Sequence, residues 1–581
     1  MQRVVLTNGR LFALFLSLGT LHGCASVATQ GEPAGEPLGD DTRIGDYVDG
    51  GSDATADLMF ELLAGEIAGQ LGNVDEAAEH YLEAAKRSSD PQVAERAARI
   101  AQFGGNTKQA LKAARRWVEL DPDNAQAHQT LALLHVSDGA LEKSLAPFDR
   151  IIEIADENGR NGFLIIGPEL DREQDKEKAY RVMQMLVERH PDNAYAHFAA
   201  ANLAFRAKEY DAALEAADRA LAIKSDLLDA KVVRARVLMA LERKEQAIAE
   251  LESAVAAAPD NTELRTAYAR MLVQAEDFEK AREVFGELVE ERPDDADLVF
   301  TLGVLNMQQK YYKDASANFF ELARMSQRES EAHYYLGRIA EEQEQHRKAK
   351  DWYEKVGDGD YELDAQLRIA DMHYELGSLE RARDHLKELR DETSDNQRLV
   401  SVYLAEGQLL RKAEQFEAGM DLYNRALTEQ PSNEDLLYAR ALMAERLDRL
   451  DLLEADLRSI LEEDPDNATA LNALGYTLAD RTDRIDEARE YIERALEMRP
   501  DDPAVIDSMG WVLYRMGEYE RAEEFLRKAF SLLQDAEIAG HLGELMWARG
   551  NTSEAVDIVE SALEEHPDDR DLKELLERFT R

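Results

Sequence analysis

The sequence contains a single cysteine, Cys24, so no disulfide bond can form within the chain. Glycine and proline are scarce, with 32 and 14 residues among 581, which excludes a collagen-like chain and argues against one built from many short strands. Basic residues are in the minority, since 69 Lys and Arg oppose 118 Asp and Glu and leave a formal net charge of -49. Because such a field repels phosphate groups, we expect no nucleic acid among the partners.

The negative charge has two interpretations. It is either a solvated surface suited to solubility or high salt, or a field that steers a basic partner towards the protein. The sequence alone leaves both open.

Catalytic signatures are missing as well. The 12 histidines are scattered, and the chain has no His-Glu-x-x-His, no Gly-x-Ser-x-Gly and no glycine loop that could cradle a phosphate. We therefore predict a protein that is not an enzyme and that uses no cofactor and no metal. Apolar residues, by contrast, make up 44% of the chain, enough for a substantial core.

These apolar residues recur with helical spacing. Between Ala468 and Pro500 they follow the i, i+3, i+4, i+7 pattern of one helix face twice, on either side of a polar break at 480–486. Neither predicted helix can bury its face alone, so the unit is a helical hairpin that needs neighbours on both sides. We expect Gly475 and Ala488 where the two helices cross closely, because larger side chains would force their axes apart.

Proline-containing turns repeat this unit along the chain, at intervals close to multiples of 34 residues. In each turn the proline ends one helix and the following Asp or Asn caps the next. The prolines are Pro122, Pro191, Pro259, Pro293, Pro431, Pro465, Pro500 and Pro567. An alanine marks one position of the second helix, at Ala77, Ala110, Ala213, Ala247, Ala281, Ala315, Ala349, Ala382, Ala488, Ala522 and Ala555.

This period and this pattern of small residues resemble the tetratricopeptide repeat (TPR). The resemblance implies an all-α fold, a right-handed TPR superhelical solenoid of helix-turn-helix repeats. We predict about fifteen repeats over residues 57–569, followed by a capping helix at 570–581. The array is expected to be irregular near 155–176 and 356–364.

The first irregularity contains Gly167 and Pro168, which are expected to interrupt a first helix and to leave residues 163–166 as an apolar patch. That patch is either a contact inside the stack or an exposed docking loop. The second irregularity, at 356–360, predicts a longer turn between helices.

The amino terminus has the layout of a secretory signal, with Arg3 and Arg10 before a short apolar run at 11–18. Leu21-His22-Gly23-Cys24 resembles a bacterial lipobox, which implies a signal peptide at 1–23 and lipid attached to Cys24. The alternative is an ordinary signal or an uncleaved anchor with an incidental cysteine. Residues 24–56 are predicted to be the lipidated cysteine and a flexible tether. By resemblance to sorted lipoproteins, Ala25 implies the outer membrane, with the protein facing the periplasm.

The remaining signal is a set of residues on the predicted first helices. In a TPR superhelix these helices line a groove, and aromatic residues with arginines between them are enriched where proteins bind. The predicted partner-binding residues are Tyr195, Phe198, Asn202, Arg236, Arg270, Tyr334, Arg338, Tyr476, Trp511, Tyr514 and Trp547. Arg236, Arg270 and Arg338 are spaced by 34 and 68, and such a ladder could hold the carboxylates of an extended peptide. The alternative is that the arginines pair with neighbouring acids and the aromatics pack between repeats.

Two sequence segments narrow the resemblance to a smaller family of TPR proteins. They are ALNALGYTLADRT and DSMGWVLYRMGEYERAEEFLRKAF. Together with the signal, cysteine and tether, they look like TPR lipoprotein adaptors of periplasmic carboxyl-terminal processing proteases. The resemblance implies a protein that activates such a serine protease and delivers cell-wall hydrolases to it. An assembly factor for exopolysaccharide export or outer-membrane biogenesis would need the same anchor and groove, and is the alternative.

Overall fold

A computed structural model describes residues 53–581, and within this range the chain forms 31 α-helices and no strand. The predicted all-α class is confirmed. The signal peptide, Cys24 and all but the end of the tether lie outside the described residues. None of the described helices has the length and apolar character needed to cross a membrane.

Contacts between Cα atoms divide the described chain into two units, residues 53–309 and 310–581. The helices of the first unit are α1 (Asp53–Gln70), α2 (Val74–Arg87), α3 (Pro91–Phe103), α4 (Thr107–Leu120), α5 (Ala125–Ser137), α6 (Leu141–Glu157), α7 (Phe163–Asp171), α8 (Lys176–Arg189), α9 (Ala194–Arg206), α10 (Tyr210–Ile223), α11 (Leu228–Ala240), α12 (Lys244–Ala257), α13 (Thr262–Gln274), α14 (Phe278–Glu291) and α15 (Ala296–Gln308).

The helices of the second unit are α16 (Tyr312–Arg324), α17 (Glu329–Glu342), α18 (His346–Tyr353), α19 (Glu362–Glu375), α20 (Leu379–Glu392), α21 (Asn396–Lys412), α22 (Phe416–Glu429), α23 (Glu434–Arg446), α24 (Leu450–Glu463), α25 (Ala468–Arg481), α26 (Ile485–Met498), α27 (Pro503–Arg515), α28 (Tyr519–Leu532), α29 (Ala536–Ala548), α30 (Thr552–Glu565) and α31 (Arg570–Thr580).

Within each unit, consecutive helices pack as hairpins. In the second unit, for example, α25 packs on α26 and α27 on α28, and the second helix of one hairpin packs on the first helix of the next. First helices also contact one another directly, as α25 does α27 and α27 does α29. The first helices of neighbouring hairpins therefore form one layer of the unit.

The caps predicted from the proline turns are present. In the turn after Pro122, the Asn124 side chain accepts hydrogen bonds from the backbone N–H groups of Gln126 at 3.0 Å and Ala127 at 3.1 Å. These bonds satisfy N–H groups that the first turn of a helix leaves without an intrahelical acceptor. Equivalent caps start first helices at Asn193, Asn261, Asp295, Asn433, Asn467, Asp502 and Asp569.

The turn inside each hairpin shows the same period in its backbone. Lys208, Glu242, Glu276, Lys310 and Glu344 follow one another at 34-residue intervals and all have φ between 56° and 68°. Such left-handed residues close the end of the first helix: the N–H groups of Glu242 and Arg243 donate to carbonyls of the last turn at 3.0 and 2.8 Å. These positions usually favour glycine, so charged residues there are strained.

Small residues set the crossing of the two helices. A Cβ atom added to Gly475 would lie 2.6 Å from Ile492 Cγ1 and 2.9 Å from the Ala488 carbonyl oxygen. The eleven alanines of the second helices are at most 1% exposed. The close crossing expected at Gly475 is therefore present, and the predicted alanine position is a core position.

One expectation at the first irregularity is wrong. Gly167 and Pro168 do not interrupt a helix, because both lie inside α7. Phe163 and Ile166 are buried at 1% exposure, whereas Leu164 and Ile165 are exposed. A helix of nine residues accommodates the proline because only a few intrahelical bonds are available to be lost. Half of the patch is thus a contact inside the stack, and the other half is exposed. At the second irregularity α18 is shortened to eight residues, and the turn at 354–361 is correspondingly long.

We expect Gly475→Ala to destabilise the α25–α26 hairpin by about 1–3 kcal/mol, because the added methyl group meets a backbone oxygen. Since repeat arrays open locally, the measurement is backbone hydrogen exchange in the two helices. Gly540→Ala is the matched control. It also lies in a first helix, but its Cβ would meet Leu572 and Leu575 only at 3.9 Å. This control should be stabilising by about 0.4–1 kcal/mol. Equal effects of the two substitutions would contradict the close crossing.

Candidate functional site

The predicted partner-binding residues all lie on first helices. On a helix, residues four apart share one face, so each first helix presents its side chains at i and i+4 towards the same side. Because first helices form a layer within each unit, these faces adjoin from one hairpin to the next.

In the first unit, Tyr195, Phe198 and Asn202 share α9 and are half-buried. The Lys224 ammonium donates to the Tyr195 hydroxyl at 2.9 Å and lies over its ring at 5.0 Å from the centroid. Phe198 packs in a small apolar cluster, and the Asn202 amide donates to the Phe198 carbonyl oxygen at 3.4 Å. Neighbouring side chains thus already use part of this predicted surface.

Arg236 and Arg270 of the predicted ladder differ in their surroundings. The guanidinium of Arg236 lies over the Phe205 ring, 4.9 Å from its centroid. Arg270 is exposed. Both occupy the ninth position of their helices, α11 and α13. The ladder stays a hypothesis for this pair, while Arg338 belongs to the other unit.

Arg338 and Tyr334 are part of a largely buried network around α17. The Arg338 guanidinium lies 3.5 Å from the Tyr334 hydroxyl and 3.9 Å from Glu342. Tyr334 in turn donates to Asp364, which also accepts from Arg368 at 2.8 Å. In this region the arrangement agrees with the alternative in which arginine and tyrosine side chains pack and pair within the array.

Tyr476, Trp511 and Tyr514 come together on α25 and α27. The Trp511 indole N–H donates to Asp480 at 3.2 Å, and its ring lies 5.0 Å from the ring of Tyr514. Trp511 is buried, and the other two are half-buried. The structure therefore brings these three predicted residues to one place, which sequence spacing alone could not establish.

A residue from the next first helix completes this cluster. The His541 ring stacks on Trp511 with centroids 4.2 Å apart, and its Nε2 lies 3.2 Å from the Tyr476 hydroxyl. On its other side, His541 Nδ1 lies 2.8 Å from the carboxylate of Asp507. Burial, followed by the charge of Glu537, raises the pKa of the Tyr476 hydroxyl. A continuous chain of polar contacts therefore runs from Asp507 through His541 to Tyr476.

The chain of contacts sets the charge of His541. Burial lowers the pKa of this imidazole, but the carboxylate of Asp507, followed by those of Glu537 and Asp480, outweighs burial and raises the pKa above its ordinary value of 6.5. A protonated His541 can donate through both ring nitrogens, and its charge is favourable against the face of Trp511.

A further carboxylate, Glu445 on α23, lies at the edge of this cluster. Burial, with Glu537 and Asp480 nearby, raises the pKa of Glu445. Burial and the charge of Glu445 likewise raise the pKa of Tyr438, which lies two turns before it on the same face of α23. Four successive first helices thus contribute to one region, which we call the acidic aromatic surface. Its members are Tyr438, Glu445, Asn472, Tyr476, Asp480, Asp507, Trp511, Glu537 and His541.

Trp547 lies apart from that surface. Its ring stacks on Phe579 of α31, with centroids 4.5 Å apart and planes 5° from parallel. Such stacking covers the apolar side of the last hairpin with the final helix. Trp547 therefore packs the final helix against the last hairpin.

The first unit has an apolar surface that sequence reasoning missed. Along α1 and at the residue after it, Phe60, Leu63, Ile67 and Leu71 recur at helical spacing and are 42–72% exposed. Large apolar side chains exposed in a row are typical of protein contact sites. The spacing in the sequence shows one apolar stripe, but only the structure shows that the described residues leave it uncovered.

The acids and His541 were missed for a different reason. Aromatic and arginine residues were selected as binding types, and single acids do not stand out in a chain with 118 of them. A usable signal was the i, i+4 relation, since Asp507 precedes Trp511, Asn472 precedes Tyr476 and Glu537 precedes His541 by one turn each. Within the described residues, no group of three or more His, Cys, Asp or Glu has an arrangement that could hold a metal ion.

Comparisons with known proteins agree with the repeat pattern. The model of the cytochrome c-type biogenesis protein H TPR domain matches residues 232–333, and tetratricopeptide-repeat models match 95–159, 166–227, 364–392, 466–535 and 513–579. The TPR repeat-containing protein PA4667 of Pseudomonas aeruginosa is 35% identical over 526 residues, covering 90% of this chain and 88% of that protein.

Solved structures with similarity include other TPR proteins. One from Parabacteroides merdae is 18% identical with a TM-score of 0.36, covering 43% of this chain and 99% of its own. Yeast Tom70 is 14% identical with a TM-score of 0.34, covering 90% of this chain and 94% of its own.

We expect the imidazole of His541 to titrate above pH 6.5 in the folded protein, and Asp507→Asn to lower that pKa by removing the nearest carboxylate. Because the folded pKa is raised, this contact stabilises fully below the unfolded value and its contribution is lost as pH rises through the folded value. The measurement is NMR titration of carbon-labelled histidine, with His541→Gln to assign the signal. A pKa below 6.5, or one unchanged by Asp507→Asn, would contradict this electrostatic account.

Proposed function

The chain belongs to the tetratricopeptide-repeat family of the Pseudomonas aeruginosa protein PA4667, and we propose that it is an adaptor that holds a protease and its substrates together. The protease would be a periplasmic carboxyl-terminal processing serine protease, which the adaptor activates. The substrates would be cell-wall hydrolases. TPR repeats are protein-interaction scaffolds, and the finer assignment extends that role.

The observation that carries the proposal is the presence of two chemically different surfaces in the two units. The first unit exposes the apolar stripe of α1, and the second presents the acidic aromatic surface on its first helices. Apolar side chains in a row suit a partner with a complementary apolar face, whereas carboxylates beside aromatic rings suit a polar and basic one. Two unlike surfaces on one chain are what an adaptor for two unlike partners requires.

The mechanism is an increase in effective concentration. When enzyme and substrate are bound to one chain, their encounter becomes intramolecular, and effective concentrations reach roughly the millimolar range. No reacting group of the adaptor is needed for this acceleration. Two sequence segments resemble the adaptor family, and they overlap the helices that carry Tyr476 and Trp511. The segments are ALNALGYTLADRT and DSMGWVLYRMGEYERAEEFLRKAF.

We further propose that Cys24 carries lipid and anchors the adaptor to the outer membrane, facing the periplasm. This supports the adaptor role, because restriction to a membrane surface brings the adaptor and its partners close to the cell wall. Each buried methylene of an acyl chain contributes about 0.8 kcal/mol, so several chains together make the anchor effectively permanent.

The function is tested by capture of partners from a periplasmic extract on a soluble form that lacks residues 1–24. We expect recovery of a carboxyl-terminal processing serine protease together with cell-wall hydrolases. Recovery of exopolysaccharide-export or outer-membrane assembly proteins in their place would favour the alternative role and contradict the protease assignment.

The same capture assay tests whether Arg236 and Arg270 contribute to partner binding. Arg236→Glu with Arg270→Glu should reduce capture of at least one partner by about tenfold, if the pair is a hot spot for carboxylates. Arg181→Glu with Arg219→Glu is the charge-matched control, because these arginines are exposed on second helices α8 and α10. Equal capture by the two double variants would remove the arginine pair from the binding surface.

The anchor is tested separately by Cys24→Ser in the full chain. We expect this variant to move from the detergent-solubilised membrane fraction to the aqueous fraction, because no thioether-linked lipid can form on serine. Continued partition with membranes would show that the cysteine is not the point of attachment.

A further inference from the structure

The apolar stripe consists of Phe60, Leu63, Ile67 and Leu71, and it lies on the first hairpin of the described array. Phe60 is 62% exposed and Ile67 is 56% exposed. Within residues 53–581 no helix precedes α1, so this first helix has no preceding hairpin to pack against. The later hairpins show what the same face contacts when a neighbour is present.

Phe60 and Ile67 occupy two positions that are buried in other hairpins. Gly65 is the close crossing of the first hairpin, because an added Cβ would lie 2.9 Å from the ring of Tyr81 on α2. Phe60 precedes this glycine by five residues, and Ile67 follows it by two. Five residues before the glycine crossings of the second unit lie Ala332, Val402, Ala470, Val505 and Ile538, which are at most 4% exposed. Two residues after them lie Ile339, Leu409, Thr477, Val512 and Leu545, which are at most 7% exposed.

Inside the array, the second helix of the preceding hairpin covers this face. Val505 of α27 shares a buried cluster with Ala495 of α26, and Ile538 of α29 shares one with Ala529 of α28. In both clusters a small residue of a second helix accompanies the first-helix residue at the position of Phe60. Small side chains at such contacts let two helices approach closely. The apolar stripe is therefore one half of the interface that joins hairpins elsewhere in the array.

The acids beside the stripe are compatible with an apolar contact. Three carboxylates of α1 are already bound by side chains of α2 or α3, which hold them to the flanks of the helix. The pairs are Asp57 with Arg87 at 2.9 Å, Glu61 with His80 at 2.7 Å, and Glu66 with Arg96. The stripe itself carries no charged side chain, although the chain has a net charge of -49.

We propose that the apolar stripe binds an amphipathic α-helix of a partner protein, as a first helix inside the array binds the second helix of the preceding hairpin. The partner helix presents apolar side chains at i, i+3, i+4 and i+7, with a small residue opposite Phe60. The small residue is required because Phe60 is larger than Val505 or Ile538 at the same position. This inference rests on the proposed adaptor role and specifies the structure that one partner must display.

Three other occupants match the stripe less well. A lipid surface typically binds helices that are rich in Lys and Arg, and α1 contains neither. A second copy would place large side chains against large ones and would bring together two chains of net charge -49. The chain's own residues 25–52 include Pro33, Pro37 and repeated glycines, which disfavour a helix.

The first experiment measures binding of a defined helix to the chain from residue 25 onward, which keeps every described residue. The probe is a capped, fluorescently labelled peptide with the sequence of α28, whose Ala529 lies against a first helix in the array. A lactam bond between Glu524 and Lys528 of the peptide, one turn apart and exposed in the array, keeps it helical. We expect saturable binding by fluorescence anisotropy. The peptide with Ala529→Glu should bind at least about tenfold more weakly, because a charge then meets the apolar stripe.

Matched variants of the chain locate the binding. Phe60→Ser with Ile67→Ser should weaken the peptide by about tenfold or more, because two central apolar contacts are lost. Phe320→Ser with Leu532→Ser is the control, since these side chains are 49% and 51% exposed on second helices α16 and α28. It should change affinity by less than about threefold. Circular dichroism checks that both variants remain folded.

A second experiment identifies what lies on the stripe. Benzoylphenylalanine in place of Phe60 forms, on irradiation, a covalent bond to a group in contact with it. With the α28 peptide present, the expected product is a peptide adduct near Ala529. Without the peptide, a homodimer as the main product would identify a second copy as the occupant. A bond to residues 25–52 would identify the tether, and either product would overturn the inference.

Three further results would overturn it: equal affinities of the two peptides, equal affinities of the two double variants, or binding to phosphatidylcholine vesicles that is lost with Phe60→Ser and Ile67→Ser. None of them depends on the identity of a natural partner. Failure here with successful capture of a protease would remove the helix site and leave the adaptor role. Helix binding without a captured protease would do the reverse.

Discussion

The close crossing of the two helices in each hairpin is the constraint on which the rest of the array depends. In the second unit Gly337, Gly407, Gly475, Gly510 and Gly543 each lie under a large side chain of the second helix. At Gly407 an added Cβ would overlap the Tyr423 hydroxyl. Because a glycine receives each of these side chains, the two helices of the hairpin can pack closely. The candidate binding residues lie on these same first helices, whose positions the crossings fix.

The buried contact of Asp507 with His541 shows how side chains on neighbouring first helices are held in one arrangement. An isolated carboxylate at 1% exposure would be strongly unfavourable, and the imidazole of the next first helix compensates for it. The pair links α27 to α29 and also fixes the ring that stacks on Trp511. This one contact therefore fixes the positions of two neighbouring hairpins relative to each other. It also orients the His541 ring against Trp511.

Much of the fold could be predicted because it follows from local rules that repeat. Each repeat is specified by features that act within a few residues: the apolar spacing, the proline turn and the Asp or Asn cap that follows it. Because these features recur about every 34 residues, they can be recognised in the sequence. The left-handed turns were not predicted, because the usual glycine is replaced by residues such as Glu242 and Glu276. Gly167 and Pro168 were misjudged for the same reason, since residue identity suggested a break that the short helix α7 tolerates.

The candidate site was harder to predict because its signal is burial rather than composition. In a chain with a net charge of -49, an acid is an ordinary residue until the structure shows which acids are half-buried beside aromatic rings. Tyr476 and Trp511 could be chosen from their type and phase. The neighbours that give them chemical meaning, Glu445 and His541, required knowledge of which first helices adjoin.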